Sequence, residues 1–281
     1  MSGNQNKLIA FNYFGGKFSW IDQLYAYFPK DFKHLVDVFG GSFVVSINYQ
    51  GKVIKTANDL NQEVVNFFRV LRDYEEKLVT LLELTPVSLE EYNNCYFWHP
   101  DPIERARRFY VRARQSFFGL GLQRRNKGWH MAKTQVNCKG GETVSRFTNG
   151  IVKLKDVARA ITSEFQITNF SYAEVINKID FEEAFFYCDP PYPLQSRKSK
   201  NDYKHEFTDK DHIDLATRLQ KVKGMAMISG YDCGLMRELY SEWNFIKFPS
   251  KLNNIRSGKV EECIWFNYPY SKTKKSQLKL F

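Results

Sequence analysis

The tetrapeptide Asp189-Pro190-Pro191-Tyr192 directly follows the apolar run Ala184-Phe185-Phe186-Tyr187-Cys188. This junction constrains the fold more than any other part of the chain. A short, wholly apolar run stopped by a proline pair reads as a buried strand with an abrupt end. In open α/β sheets, ligands bind outside the carboxyl ends of the strands. A carboxylate, a stiff backbone carbonyl and an aromatic ring therefore stand where a ligand would lie. Taken alone, the same residues would also serve as a plain proline stop with a chance Asp before it. Three further motifs decide against that.

The rest of the chain supplies a sheet for this strand. Leu35-Val36-Asp37-Val38-Phe39 reads as a short buried strand, broken by Gly40 and Gly41, with Ser42 placed to cap a following helix. Val53–Ala57 reads as a second strand. A helix from Asn61 follows, with Val64, Val65, Phe67, Phe68, Val70 and Leu71 on its apolar face. Strand, turn and helix, repeated, predict a parallel sheet with crossovers. The pattern resumes after Val152. A strand is expected at 185–188, a helix at 211–221, a strand at 225–228, and a closing pair at 245–248 and 263–267. The fold class expected is α/β, a Rossmann-like sheet with helices on both faces, interrupted by a mainly helical insertion. The expected organisation is a first catalytic part (1–74), an insertion (75–150), a second catalytic part (151–270) and a flexible basic tail (271–281). There is no internal repeat.

The insertion is chemically distinct. Asp101-Pro102 reads as a helix start, with Asp as N-cap and Pro in the first turn. From Arg105 to Gly141 the chain has no acidic residue, although it carries 31 acids in all. Arg105, Arg114, Arg124 and Lys133 lie in this stretch, with Phe109, Tyr110, Phe117, Phe118 and Trp129 interleaved. Together with a net charge of +10, this points to an acidic partner, nucleic acid first. No apolar run approaches the ~20 residues that span a bilayer, and the first residues lack a signal-peptide core. The five cysteines are scattered and form no C-x-x-C pair, which suits a reduced cytoplasm. Cys95, His99, His130 and Cys138 match no standard zinc spacing, so no metal is expected.

Two glycine turns carry further chemistry. In Asp37-Val38-Phe39-Gly40-Gly41-Ser42, glycines after a first strand allow close backbone approach to a ligand. Asp59 lies about 20 residues on, at the end of the second strand, where an acid bonds the ribose hydroxyls of a nucleoside cofactor. The absence of G-x-G-x-x-G argues against a dinucleotide. In Tyr13-Phe14-Gly15-Gly16-Lys17, a glycine pair and a lysine can wrap a carboxylate, but the spacing is not that of a P-loop.

The order Tyr13-x-Gly15-Gly16-Lys17, Asp37-x-Phe39-Gly40-Gly41, Asn58-Asp59, Asp189-Pro190-Pro191-Tyr192 resembles the Dam-like (D12 class) N6-adenine DNA methyltransferases. The resemblance extends to Gly121-Leu122-Gln123-Arg124-Arg125-Asn126, which looks like that family's target-recognition segment. It also takes in Ile228-Ser229-Gly230-Tyr231-Asp232 and the segment Glu261–Asn267, and so spans roughly residues 8 to 268. It implies S-adenosyl-L-methionine as cofactor, with Tyr13, Lys17, Phe39, Gly40, Gly41 and Asp189 around its methionine side. Asp59 would hold its ribose and Phe170 touch its adenine. It implies a flipped adenine whose amino group is gripped by Asp189 and the Pro190 carbonyl and whose ring stacks on Tyr192. Double-stranded DNA would be bound through Arg105, Arg114, Leu122, Arg124, Asn126 and Lys133. One departure stands out: the family's F-x-G-x-G turn has Phe43 at its last position here, where a side chain restricts the backbone's approach to the cofactor.

Other readings differ in substrate. A related N-P-P-Y motif serves glutamine methylation of proteins, but Asp189 and the basic insertion argue against it. RNA adenine methylation and a catalytically degenerate DNA-binding homologue remain as alternatives. Finally, Gln277-Leu278-Lys279-Leu280-Phe281 resembles the peptide by which bacterial replication and repair proteins dock on the sliding clamp. Gln277 would meet the rim of the clamp's pocket, with Leu280 and Phe281 on its floor. The same apolar residues would also serve as a terminal strand edge packed on the sheet. No membrane contact is expected, and the chain is expected to be a monomer in solution.

Overall fold

The computed structural model describes residues 7–123, 128–134, 136–137, 140–197, 206–249, 251–253 and 258–270. Seven strands make the main sheet: β1 (His34–Asp37), β2 (Ile54–Asn58), β3 (Phe165–Thr168), β4 (Ala184–Cys188), β5 (Met225–Gly230), β6 (Asn244–Lys247) and β7 (Cys263–Phe266). Their order across the sheet is β3-β2-β1-β4-β5-β7-β6. The first five are parallel, and Val36 of β1 lies between Thr56 and Phe186. Strand β7 runs antiparallel between β5 and β6. The strand order reverses between β1 and β4, and that crevice is where an open α/β sheet binds its ligand.

Strand β4 is apolar at every position because both faces of the sheet are covered. Phe185 and Tyr187 pack with Ile21, Leu24, Phe28 and Met227 on one side. Phe186 and Cys188 pack with Leu215, Leu219, Ile228 and Trp265 on the other. The expected strands and helices appear with ends shifted by at most two residues. Asn61 caps the helix Gln62–Asp73 by accepting from the Glu63 amide. Asp101 caps Pro102–Arg114 in the same way, with Pro102 in the first turn. Strand β3 and the helix Tyr172–Ile179 were not foreseen.

The expected Ser42 cap is corrected. The helix after the glycine turn is Val44–Ile47, its N-cap position is Phe43, and no side chain caps it. Phe43 adopts a left-handed conformation, φ 55°, and is the sole non-glycine residue with positive φ among those described. Its ring is fully buried and stacks on Phe68 at 4.3 Å and 19°.

The described residues that follow the helix Gln62–Asp73 are mainly helical, in Glu75–Glu83, Leu89–Asn94, Pro102–Arg114 and Glu142–Val152. They do not enclose a core of their own. Leu78, Tyr92, Phe109, Tyr110 and Phe147 join one cluster with Phe11, Phe43, Phe67 and Phe68.

Candidate active site

Three parallel strands end on one cavity of about 250 Å³. Strand β1 delivers Asp37, Val38 and Phe39. Strand β2 delivers Asn58 and Asp59, and β4 delivers Asp189, Pro190 and Tyr192. The N-terminal turn adds Tyr13 and Lys17, and the segment after β3 adds Phe170. All the residues expected to hold cofactor or target base therefore line one cavity.

The glycine turn owes its shape to its neighbours. A Cβ on Gly40 would come within 2.4 Å of the Phe43 ring and 3.0 Å of the Asn58 carbonyl, so no larger residue fits. Gly41 has φ +52°, and its Cα faces the Tyr13 ring. The Gly41 amide donates to Asp59 Oδ2 at 2.7 Å, and the Asn61 amide donates to Oδ1 at 2.7 Å. Each carboxylate oxygen keeps a lone pair for a hydroxyl. The concern over Phe43 resolves in its backbone: its side chain turns down into the core and is absent from the cavity wall.

Asn58 ties the strand ends together. Its amide nitrogen donates to the Val38 and Phe170 carbonyls, both at 3.0 Å. Its oxygen accepts from the Phe170 amide and the Thr168 hydroxyl, both at 2.8 Å. This fixes Phe170 at the mouth of the cavity. Phe39, just past β1, lines the same cavity and stacks beside Tyr172 at 5.9 Å.

At the other end, Asp189 is held from two sides. The Lys17 ammonium lies 2.7 Å from both carboxylate oxygens, and the Ser229 hydroxyl donates to Oδ1 at 2.8 Å. Tyr192 is buried. Its hydroxyl donates to Glu262, its ring meets Tyr231 edge-on at 4.6 Å, and Lys17 Nζ lies 4.9 Å from its centroid. Ser229, Glu262 and Asn58 sit inside the sequence motifs, but nothing local in the sequence marks what they hold.

Acidic groups crowd this cavity, and burial raises the pKa values of Asp37 and Asp59. Burial pushes Asp37 up to about 7 and Asp59 up to about 6. Burial would lower the Lys17 pKa, but the Asp189 and Glu262 carboxylates outweigh it and hold Lys17 above the ordinary lysine range.

The segment expected to recognise DNA shows a different outcome for its arginines. Arg105 faces Glu63 at 3.5 Å and donates to the His99 and Pro100 carbonyls. Arg114 donates to the Arg146 carbonyl at 2.6 Å and to Asn12. Leu122, at the end of the 3₁₀ turn Phe117–Leu122, is buried in the helical core. These three side chains, expected on DNA, are turned into the protein. Lys133 is exposed. Arg124 and Asn126 lie outside the described residues, as do Gln277, Leu280 and Phe281.

Residues 13–254 match the family model of the D12 class N6 adenine-specific DNA methyltransferases. The chain belongs to this family. The D12 assignment makes it an S-adenosylmethionine-dependent enzyme that methylates adenine N6 in DNA, and the RNA-directed and catalytically silent readings give way to it. It is 30% identical to the Type II methyltransferase M1.LlaDCHI of Lactococcus lactis subsp. cremoris, over 90% of this chain and 93% of that one. It is 25% identical to the DNA adenine methylase of Haemophilus influenzae, over 82% of each. The DNA N-6-adenine-methyltransferase of Escherichia phage P1 is 26% identical over 84% of this chain, but only 31% of its own length is matched. Among the described residues, no helix is long and apolar enough to cross a membrane.

The D12 cofactor suits these residues. The Gly41 turn lets the backbone come close, Asp59 has free lone pairs for a diol, and the acidic wall suits a sulfonium cation. Asp59 gives the first expected result. In the free enzyme its folded pKa is raised, so its ionisation opposes folding as pH rises through about 6. Cofactor binding draws on the ionised form. Cofactor affinity should therefore fall as pH drops below about 6. Asp59→Asn should bind about 10- to 100-fold more weakly at pH 8, with little pH dependence left. Calorimetric titrations with S-adenosylmethionine at several pH values check this; an unchanged pH profile in Asp59→Asn would remove Asp59 from the cofactor site.

Proposed function

We propose that this enzyme acts as a site-specific modification methylase on duplex DNA, flipping one adenine of a recognised word into the cavity between Lys17, Asp189 and Tyr192. The observation that carries the reading is Asp189 at the carboxyl end of β4, fixed by Ser229 and facing the cavity that Asp59 and Phe170 also line. When bound, S-adenosylmethionine supplies an electrophilic methyl group on its sulfonium. The chain's residues do the rest. An adenine amino nitrogen is a poor nucleophile because its lone pair is delocalised into the ring. Asp189 and the Pro190 carbonyl accept its two N–H bonds, which favours a pyramidal nitrogen with a free lone pair. Tyr192 offers its ring to the base, and the walls exclude water. Little beyond positioning and electrostatics is then needed. Incubation with labelled cofactor and mixed-sequence duplex DNA tests the reading, which requires label in N6-methyladenine. Label in cytosine, or in RNA alone, would overturn it.

In the same reading, residues 75–150 form the target-recognition unit between two catalytic parts, 1–74 and 151–270. Arg124 and Asn126 read base edges, and exposed Lys133 meets phosphate. Arg105, Arg114 and Leu122 then support the unit from within. Arg124→Ala should cost ~1–3 kcal/mol on the recognised word and relax discrimination. Lys133→Ala should weaken binding to all duplexes alike and flatten its salt dependence. Fluorescence anisotropy with specific and scrambled duplexes separates the two; identical behaviour of both variants would make Arg124 a phosphate contact.

The described cysteines, Cys95, Cys188, Cys233 and Cys263, are free thiols, which suits the cytoplasm. One catalytic cavity and one recognition segment per chain suit a monomer. The tail 271–281 is proposed to dock on a bacterial sliding clamp through Gln277, Leu280 and Phe281. A fluorescent peptide of residues 271–281 should bind the clamp at micromolar concentration, and Leu280→Ala with Phe281→Ala should abolish binding. Failure of both peptide and full-length enzyme to bind would end that proposal.

A further inference from the structure

Glu262 sits immediately before β7 and is buried to 4% exposure, a place where carboxylates are rare unless paired. Its Oε1 lies 3.6 Å from Lys17 Nζ and accepts from the Tyr192 hydroxyl. Lys17 thus stands between two carboxylates, bound tightly to Asp189 and loosely to Glu262. In that position it conflicts with the role of Asp189 proposed above. Lys17 bonds both Asp189 oxygens and Ser229 bonds one of them, so an adenine amino group competes with the ammonium for Asp189. Lys17 also donates to the Gly15 carbonyl at 3.1 Å, but a buried ammonium that leaves one carboxylate needs another negative charge within reach.

We propose that Glu262 is the second berth of the Lys17 ammonium: as the flipped adenine takes Asp189, Lys17 turns to Glu262, which also holds Tyr192 in place for the base. Glu262 is thereby a positioning residue for both Lys17 and Tyr192. The inference rests on the reading of Asp189 as acceptor of the adenine amino group. No bond is made or broken in the step; an ammonium exchanges one carboxylate partner for another.

The groups facing Glu262 are Lys17 from the N-terminal turn, Asp189 and Tyr192 after β4, Tyr187 within β4, and Cys263 next in the chain, while Tyr231 after β5 lies against the Tyr192 ring. Burial, assisted by Asp189 and opposed by Lys17, pushes Glu262 up to about 7. Below that pH the berth is neutral and Lys17 stays on Asp189. Turnover should therefore fall as pH drops through about 7.

Glu262→Gln keeps the size and a hydrogen-bond acceptor for Tyr192 but removes the charge. At saturating cofactor and DNA, kcat at pH 8 should fall about 10- to 100-fold, with KM for cofactor within about three-fold. The acid limb of the kcat profile near pH 7 should vanish. Asp37→Asn, which removes the other carboxyl raised to about 7, should keep that limb. Glu262→Asp should regain the limb and part of kcat. In a Lys17→Met background, Glu262→Gln should cost less than about three-fold further, because no ammonium is left to accommodate. Wild-type kcat and an unmoved acid limb in Glu262→Gln would overturn the berth. An Asp189→Ala variant that still turned over would instead overturn the reading of Asp189, so the two failures are distinguishable.

Discussion

Asp189→Ala should lower turnover by about 10³-fold or more while duplex binding stays within about three-fold. The size of the effect follows from what the carboxylate does. It is the one anionic acceptor placed by the sheet at the end of β4, and it is held in orientation by Ser229 at 2.8 Å. Alanine leaves the amino nitrogen solvated or unpaired, so the lone pair stays in the ring and the approach to the methyl group is lost. Duplex binding should be spared because the proposed DNA contacts, Lys133 among them, lie elsewhere in the chain. The fold should survive as well. Removing Asp189 leaves the buried Lys17 ammonium with Glu262 as its remaining counter-ion, 3.6 Å away. Asp189→Asn should fall between wild type and alanine, since one amide oxygen still accepts but carries no charge. Single-turnover methylation with saturating cofactor measures the loss, and anisotropy measures binding. A turnover loss below about 10-fold would remove Asp189 from the chemistry, whatever the binding showed.

The parts of the site that were legible in the sequence are those encoded in contiguous residues. A proline pair after an apolar run, a glycine pair after another, and an acid at the end of a third segment each declare a strand end. In a parallel sheet, strand ends meet on one edge. What stayed hidden depends on partners far along the chain. Ser229 reaches Asp189 across 40 residues, Glu262 reaches Tyr192 across 70, and Asn58 reaches Phe170 across 112. No local pattern marks such pairs. The surroundings of three arginines in the basic segment were hidden for the same reason. It is free of acids within itself, yet Glu63, Glu91 and Glu104 come to it from outside the run and take up Arg105, Arg107 and Arg108. A charge run along the chain is thus not a charge run on the surface. Strand β3 is hard to read from sequence because it is a half-exposed edge strand, and its alternation, Phe165-Gln166-Ile167-Thr168, is only four residues long.

Phe43 should show an unusual order of substitutions. Phe43→Ala removes a fully buried ring stacked on Phe68 and should cost about 3–5 kcal/mol. Alanine at φ 55° still carries the left-handed penalty of roughly 1–2 kcal/mol, which glycine escapes. Phe43→Gly should therefore be about 1 kcal/mol less destabilising than Phe43→Ala, the reverse of the usual preference for alanine over glycine. The ring also supports the glycine turn proposed to hold the cofactor. It occupies the space that a Cβ on Gly40 would need, at 2.4 Å. Gly40→Ala alone should thus push against Phe43 and the Asn58 carbonyl and weaken both the fold and cofactor binding. In the Phe43→Ala background the same methyl enters the space the ring has left. The two substitutions should be coupled by about 1–3 kcal/mol, the double variant being more stable than the sum of the singles. Urea denaturation of the four proteins closes the cycle. Simple additivity, or Phe43→Gly falling below Phe43→Ala, would mean that neither the strained backbone nor the ring beneath Gly40 governs this turn.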